Sequence, residues 1–491
     1  MKLHGGNTTE VQAIIDAALR GDVTEEDLRR LQALGGTDAV LVALVAAAGR
    51  IDEQNHRIEQ LEAELNDRRT ADPSTPSAMR PVYTKPKTPR RRKRPGAKKG
   101  HPGSRRSAPA KIDRRKEHRL EQCPDCGGAL QQCNRTRTRT IEDIPEQIEP
   151  EITEHTIHRD YCPACKKHVE PIVPDASSKA ILGHRLVALT AWFHYGLGIT
   201  IEQVVQILSS HLQTKVTPGG MVGAWQRLAM ILLVWYEQIG QEARHSATLH
   251  ADETGWRVAG QTHWLWCFAN GQVCYYMIHR SRGSPALQEF FTEAFGGVLI
   301  TDFWAAYGTI GADDRQYCLV HLLRELEKVD QTNVSTEWNA FAKKLRRLVR
   351  DGIRLRHRPD FSPERYARRI KLIDDRLCVL AQGPYQDRDA TRLAKRLDRY
   401  IDYLFTFLSR MDVPYENNFA ERMIRPAVIL RKNSQSNRSE KGAATQGVLM
   451  SVYRTLRLRG HDPIATLVEA LRTYTQTGQL PPLPPAGVAD G

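Results

Sequence analysis

The stretch from Ser246 to Gly308 constrains this chain more than any other, because its hydrophobic period switches from strand to helix and back. "SATLHADET" alternates: Thr248, His250, Asp252 and Thr254 share one strand face, and Ala247, Leu249, Ala251 and Glu253 share the other. "THWLWCFAN" and "QVCYYMIH" follow, parted by Asn270-Gly271, a strong hairpin signal. A helix is expected over "PALQEFFTEAF". Then Val298, Leu299 and Ile300 in "GVLITDFWAAYG" read as a fully buried central strand tipped by Asp302.

Three antiparallel strands, a helix and a buried strand make the opening of a ribonuclease-H-like α/β domain. In that arrangement the first and fourth strands are neighbours, and Asp252 and Asp302 come side by side. Two adjacent carboxylates repel and share a proton unless a cation joins them. A pair of Mg²⁺ ions, with Mn²⁺ as a substitute, would answer that repulsion and supply phosphodiester chemistry. Glu253 points away from Asp252, so only one of the two serves a given site.

A third acid is expected on the later helix in "VPYENNFAERMIRPAVILRKNS". Phe419, Met423, Ala427 and Leu430 mark its apolar face. Glu421 lies about 200° round from Phe419, with Asn417 and Arg425 stacked on it at i−4 and i+4. Glu416 competes, but its place near the helix start gives it a local reason to be acidic. His321 and Arg324, in "CLVHLLREL", share a helical face with Cys318 just after the second acid and are read as supports, with Asn417 and Asn418. Arg422, Arg425, Arg431 and Lys432 follow the third acid and are placed to hold phosphates. Trp256, Trp264, Trp266 and Trp304 are expected as core or platform residues.

Four of the nine cysteines form two CPxC pairs, Cys123 with Cys126 and Cys162 with Cys165. That spacing points to one structural Zn²⁺ in a ribbon whose knuckles are joined by a β-hairpin over residues 135–161, with Cys133, His155, His158 and His168 as weaker stand-ins. Four protein ligands leave no open position for water, so this zinc does no chemistry.

The net charge of +14 is uneven. Lys85 to Arg106 holds 11 basic residues and no acid, including Arg90, Arg91, Arg92, Lys93 and Arg94. Such a segment binds polyanions and is expected to be disordered. Before it, Leu44, Ile51, Ile58 and Leu65 recur every seven residues, the spacing of a short coiled coil or of one amphipathic helix packed on its own protein. No apolar run approaches a membrane span, which makes a soluble, intracellular protein the expectation.

The reading divides the chain into a helical, coiled-coil region (1–66), a basic linker (67–117), a zinc ribbon (118–175) and a helical, helix-turn-helix-like DNA-binding subdomain (176–245). The first part of the catalytic core (246–334), a helical insertion (335–412), the second part with C-terminal helices (413–475) and a Pro-rich tail (476–491) follow. The class is multidomain α+β.

"DET", "TDFWAAYG" and "ENNFAERMIRPAVILRKNS" together resemble the three catalytic blocks of the DDE transposases of the insertion sequence 66 family. The "KKGHPG" linker, the CPxC region and "SVYRTLRLRGHDPIATL" match the layout of that family. The resemblance implies a catalytic triad of Asp252, Asp302 and Glu421, holding two Mg²⁺ ions that cut and join DNA ends. It implies double-stranded DNA as partner (terminal inverted repeats and target), a homo-oligomer, accessory transposition proteins and a bacterial cytoplasmic, nucleoid-associated location. A DNA-binding repressor with an inert nuclease fold is the alternative.

Overall fold

The computed structural model describes residues 111–131, 137–145, 148–177, 180–358 and 361–487, with positions 14, 25–27, 29–30, 32–33 and 109. The heptad segment, the basic run with Arg90, Arg91, Arg92, Lys93 and Arg94, and Cys133 lie outside the described residues. Residues 1–81 form a compact unit of their own, whose described positions are helical.

In the second unit, two short strands come first, β1 (Asp160–Cys162) and β2 (Lys167–Val169). Four helices follow: α1 (His184–Ala191), α2 (Ile201–His211), α3 (Pro218–Ile231) and α4 (Leu233–Arg244). The strands β3 (Thr248–Val258), β4 (Gln261–Ala269) and β5 (Cys274–His279) lead through α5 (Ser284–Phe290) to β6 (Phe295–Thr301) and β7 (Ala312–Tyr317). Then come α6 (Leu319–Asp330), α7 (Thr336–Arg356), α8 (Pro363–Ala381) and α9 (Arg388–Arg399). The last three are α10 (Asn418–Ser434), α11 (Glu440–Leu458) and α12 (Pro463–Thr477).

The main sheet is mixed and five-stranded, in the order β5-β4-β3-β6-β7. β3, β4 and β5 pair antiparallel, whereas β6 lies parallel to both β3 and β7. Local chemistry explains each turn. Ala259 and Gly260 both have positive φ, the two-residue turn that matches strand twist. Asn270 closes the next turn with its side chain, accepting from the N–H groups of Gln272 (2.8 Å) and Val273 (3.0 Å).

β6 is the pivot. Leu299 joins the apolar cluster built by α1–α4, α10–α12 and the β3–β5 ribbon. Val298 and Ile300, on the other face, join the cluster built by α6–α9. The edge of β5 is covered by α11, where Ser451 and Thr455 accept from the backbone N–H groups of Tyr276 (2.8 Å) and Cys274 (3.1 Å). Helices α1–α4 carry Ala188, Val204, Trp225 and Trp235 into the same core as the sheet, so they are built onto it. Thr200 closes a capping box on α2, and Thr217 caps α3 ahead of Pro218.

Three local expectations change. The helix after β5 stops at Phe290 and Phe295 already belongs to β6, because both aromatic side chains are claimed by the core. The buried stripe of α10 includes Ala427 and Leu430 as expected but also Ala420, Ile424 and Val428, with Phe419 and Met423 at its margin, where the helix packs on β3 and β4. The described residues of 137–159 form no strand; the short ladders sit within the cysteine knuckles, as β1–β2 and as the Gln122–Ala129 bridge.

The β3–β6 contact is tight at Gly297. A Cβ there would stand 2.5 Å from the Ser246 carbonyl oxygen and 2.7 Å from that of Ala247. Gly297→Ala should therefore lower unfolding stability by about 1–3 kcal/mol in urea titration. An unchanged midpoint would contradict this packing.

Candidate active site

The parallel register sets His250 opposite Ile300. Two residues further along stand Asp252, within β3, and Asp302, just past the end of β6, on the sheet side that His250 and Ile300 share. Both are half-buried. Asp252 accepts from the Glu253 N–H (2.9 Å), and Asp302 accepts from the Trp304 N–H (2.9 Å). Among the described residues, neither forms an ion pair with a basic side chain. Burial, then Glu253, Asp302 and Glu421, push the Asp252 carboxyl well above the usual carboxylate range.

Glu253 lies on the opposite face and is buried. Its carboxylate accepts from Arg282 (3.1 and 2.9 Å) and from the Tyr307 hydroxyl (2.6 Å). Burial first, then Asp302, raises it to about 7 against the lowering pull of Tyr307 and Arg282. The two adjacent acids thus differ in kind: one has a built-in cation and the other has none among the described residues.

Glu421 sits in the first turn of α10 and meets α6. It accepts from Arg324 (3.2 Å), with His321 Nε2 at 3.6 Å. Burial holds the His321 imidazole below its usual pKa, while Asp302 and Glu421 pull it upward. Glu416 instead accepts from the Asn418 N–H (2.9 Å), a helix-start contact.

Asn417 departs from its expected place on the Glu421 stack. It is the residue just before α10, and its side chain turns inward. Its Nδ2 donates to the Ala251 carbonyl (2.8 Å), so its Oδ1 faces His250 Nδ1 (2.9 Å), which must carry the proton. Its backbone N–H donates to Cys318 Sγ (3.2 Å). One buried amide therefore joins the strand of Asp252, the helix of Glu421 and the start of the helix of His321 and Arg324. Burial lowers His250 to about 4, so it is neutral near pH 7. Arg282 and Tyr307 were not expected in this neighbourhood, whereas His250 shares the period-two face of Asp252 and Cys318 the helical face of His321 and Arg324.

Among the described residues, no three His, Cys, Asp or Glu side chains are gathered closely enough to hold one metal ion. Asp252 and Asp302 are brought together, and Glu421 acts electrostatically on Asp252 but is engaged by Arg324. The unneutralised pair of hard oxygen donors fits a divalent cation of the Mg²⁺ or Mn²⁺ type in charge and chemistry.

The family model described as "Transposase IS66 family" matches residues 179–445, a span that includes Asp252, Asp302 and Glu421. The chain belongs to this family. A second model, "zinc-finger binding domain of transposase IS66", matches residues 121–166. The transposase chain is also 23% identical over 388 residues to a protein of Sinorhizobium fredii (strain NBRC 101917 / NGR234) named "Uncharacterized protein y4jD", covering 71% of this chain and 74% of that one.

The zinc-finger region of the transposase contains both CPxC knuckles. Each is closed by a positive-φ residue after its second cysteine, Gly127 and Lys166. Hydrogen bonds from the Asp125 and Cys126 backbone and the Cys126 side chain lower the Cys123 thiol; bonds from the Cys165 backbone and side chain lower Cys162. That favours the thiolates a zinc ion needs. The two knuckles are not brought onto one centre, and His155, His158 and His168 are exposed. Of the expected phosphate contacts, Arg422, Arg425 and Lys432 are exposed, with Arg422 lying over the Phe419 ring. Arg431 turns inward instead, donating to Thr254 Oγ1 (3.2 Å) and to the Gly255 carbonyl, because β3 leaves those acceptors facing α10.

Asn417→Ala would strip the Ala251 carbonyl and His250 of their partner and should cost about 1–3 kcal/mol of stability by chemical denaturation. A raised Asp252 pKa means that the unfolded chain releases this proton first as pH rises. The contribution of Asp252 to stability is therefore lost upward from the ordinary value of 3.8. The difference in melting temperature between wild type and Asp252→Asn should turn against wild type from pH 4 to 7 without divalent ions. Added Mg²⁺ should reverse it at neutral pH; a flat difference would contradict the charge imbalance.

Proposed function

We propose that this protein is an active DDE transposase that cuts the ends of an insertion sequence and joins them to target DNA by phosphoryl transfer. One observation carries the reading: two carboxylates just past the end of the parallel β3–β6 pairing, half-buried and, among the described residues, without a protein cation. The strand order β5-β4-β3-β6-β7, with the first three strands antiparallel and the rest parallel, supports a ribonuclease-H-like core.

Asp252 and Asp302 would hold two Mg²⁺ ions, with Glu421 as third ligand once it leaves Arg324. Ions bound there supply the acidity that activates a water or a 3′-hydroxyl and the charge that stabilises the leaving oxygen. Arg324, freed from Glu421, would face the scissile phosphate, with His321 beside it. Asn417 keeps the two supporting helices in register with β3. Arg422, Arg425 and Lys432 offer exposed charge to the DNA backbone. The zinc-finger region, once a structural Zn²⁺ draws Cys123, Cys126, Cys162 and Cys165 onto one centre, and helices α1–α4 would bind the terminal inverted repeats. The basic linker adds salt-sensitive affinity. The working form is a homo-oligomer on DNA, aided by accessory transposition proteins.

A DNA-binding protein with an inert site is the second reading, favoured by the Glu421–Arg324 ion pair. A strand-transfer assay in Mg²⁺ separates the two. Wild type should join ends. Asp252→Ala and Glu421→Gln should not, with end binding kept within roughly twofold, or about 0.4 kcal/mol. Binding without joining by wild type supports the inert protein.

A further inference from the structure

Asp302 lies one residue beyond the last residue of β6, so no ladder hydrogen bond fixes its orientation. Its carboxylate is held by the backbone N–H of Trp304 (2.9 Å). Trp304 is 38% exposed, and the apolar core does not hold its indole in place. The ring rests on Arg282, whose guanidinium stands 4.0 Å from its centroid and 4.5 Å from that of Trp264. Trp304 Nε1 also donates to the Arg282 carbonyl (3.1 Å). Arg282 is fixed in turn by the buried Glu253, through two hydrogen bonds of 3.1 and 2.9 Å. Trp264 lies on β4 opposite Gly255, so the rigid wall of this stack is the ribbon that carries Asp252.

The links close into a chain: Glu253 to Arg282, Arg282 to Trp304, Trp304 to Asp302. Glu253 is bonded along the backbone to Asp252. We propose that Glu253, Arg282 and Trp304 form a clamp that holds the Asp302 carboxylate at a fixed position relative to Asp252, ready for a shared divalent cation. The two consecutive acids then divide the labour across the sheet: Asp252 faces the ion, and Glu253 anchors its opposite ligand from behind. These three are positioning residues, and their role rests on reading Asp252 and Asp302 as an ion-holding pair.

The test measures Mn²⁺ binding to the full-length, zinc-loaded protein by calorimetry, without DNA. Asp252→Asn should abolish the site. Arg282→Met and Trp304→Ala should each weaken Mn²⁺ binding by about tenfold or more, as loss of groups that orient metal ligands does. Trp304→Phe, which keeps an aromatic face on Arg282, should recover most of the loss. Should Arg282→Met fail to fold because Glu253 is left unpaired, Trp304→Ala, at a surface position, decides alone. Mn²⁺ binding that falls with Asp252→Asn but not with Trp304→Ala overturns the clamp and leaves the ion site standing. Binding unaffected by Asp252→Asn removes the ion-holding pair and the clamp with it.

Discussion

The mutual repulsion of Asp252 and Asp302 is the constraint from which the rest of this site follows. Parallel pairing of β3 and β6 places Asp252, within β3, beside Asp302, just past β6, where the backbone offers each one N–H and, among the described residues, no basic side chain pairs with either. A fold does not keep such a pair for stability, since two unpaired, half-buried carboxylates are costly. The surroundings show that this chain pairs acids when it can. Glu253 has Arg282, Glu421 has Arg324, and Glu416 has a helix N–H.

Around that pair the molecule is built as two helical groups on one sheet. The α6–α9 group packs beneath β6 and β7, and α10 lies across β3 and β4. The acids stand at the seam between them. Asn417 bridges the seam with three hydrogen bonds, to β3 on one side and to the start of α6 on the other. Burial of that amide makes the seam specific, because an unpaired partner on either side would carry a desolvation cost.

Much of this was legible in the sequence where local chemistry decides. Period-two alternation separated Asp252 from Glu253, and Asn270 marked the β4–β5 turn. What escaped was set by tertiary packing. Helical spacing put Asn417 above Glu421, but at the residue before α10 the backbone is not helical, and the side chain swings to β3. Arg431 was read as a phosphate contact, yet free acceptors on β3 draw it inward. Alternation over 137–159 promised strands, but no described partner strand gives that segment a ladder. Arg282 sits in a loop with no periodic signal, and only the fold reveals that it answers Glu253.

The central claim is that two acids brought together by parallel pairing exist to share divalent cations. Anomalous diffraction from crystals grown with Mn²⁺ and a DNA end tests it most directly. A manganese peak within ligating distance of both Asp252 and Asp302, with Glu421 drawn from Arg324 toward it, is the expected result. Density showing the two carboxylates joined only by a shared proton, with manganese absent from the seam, would contradict the account.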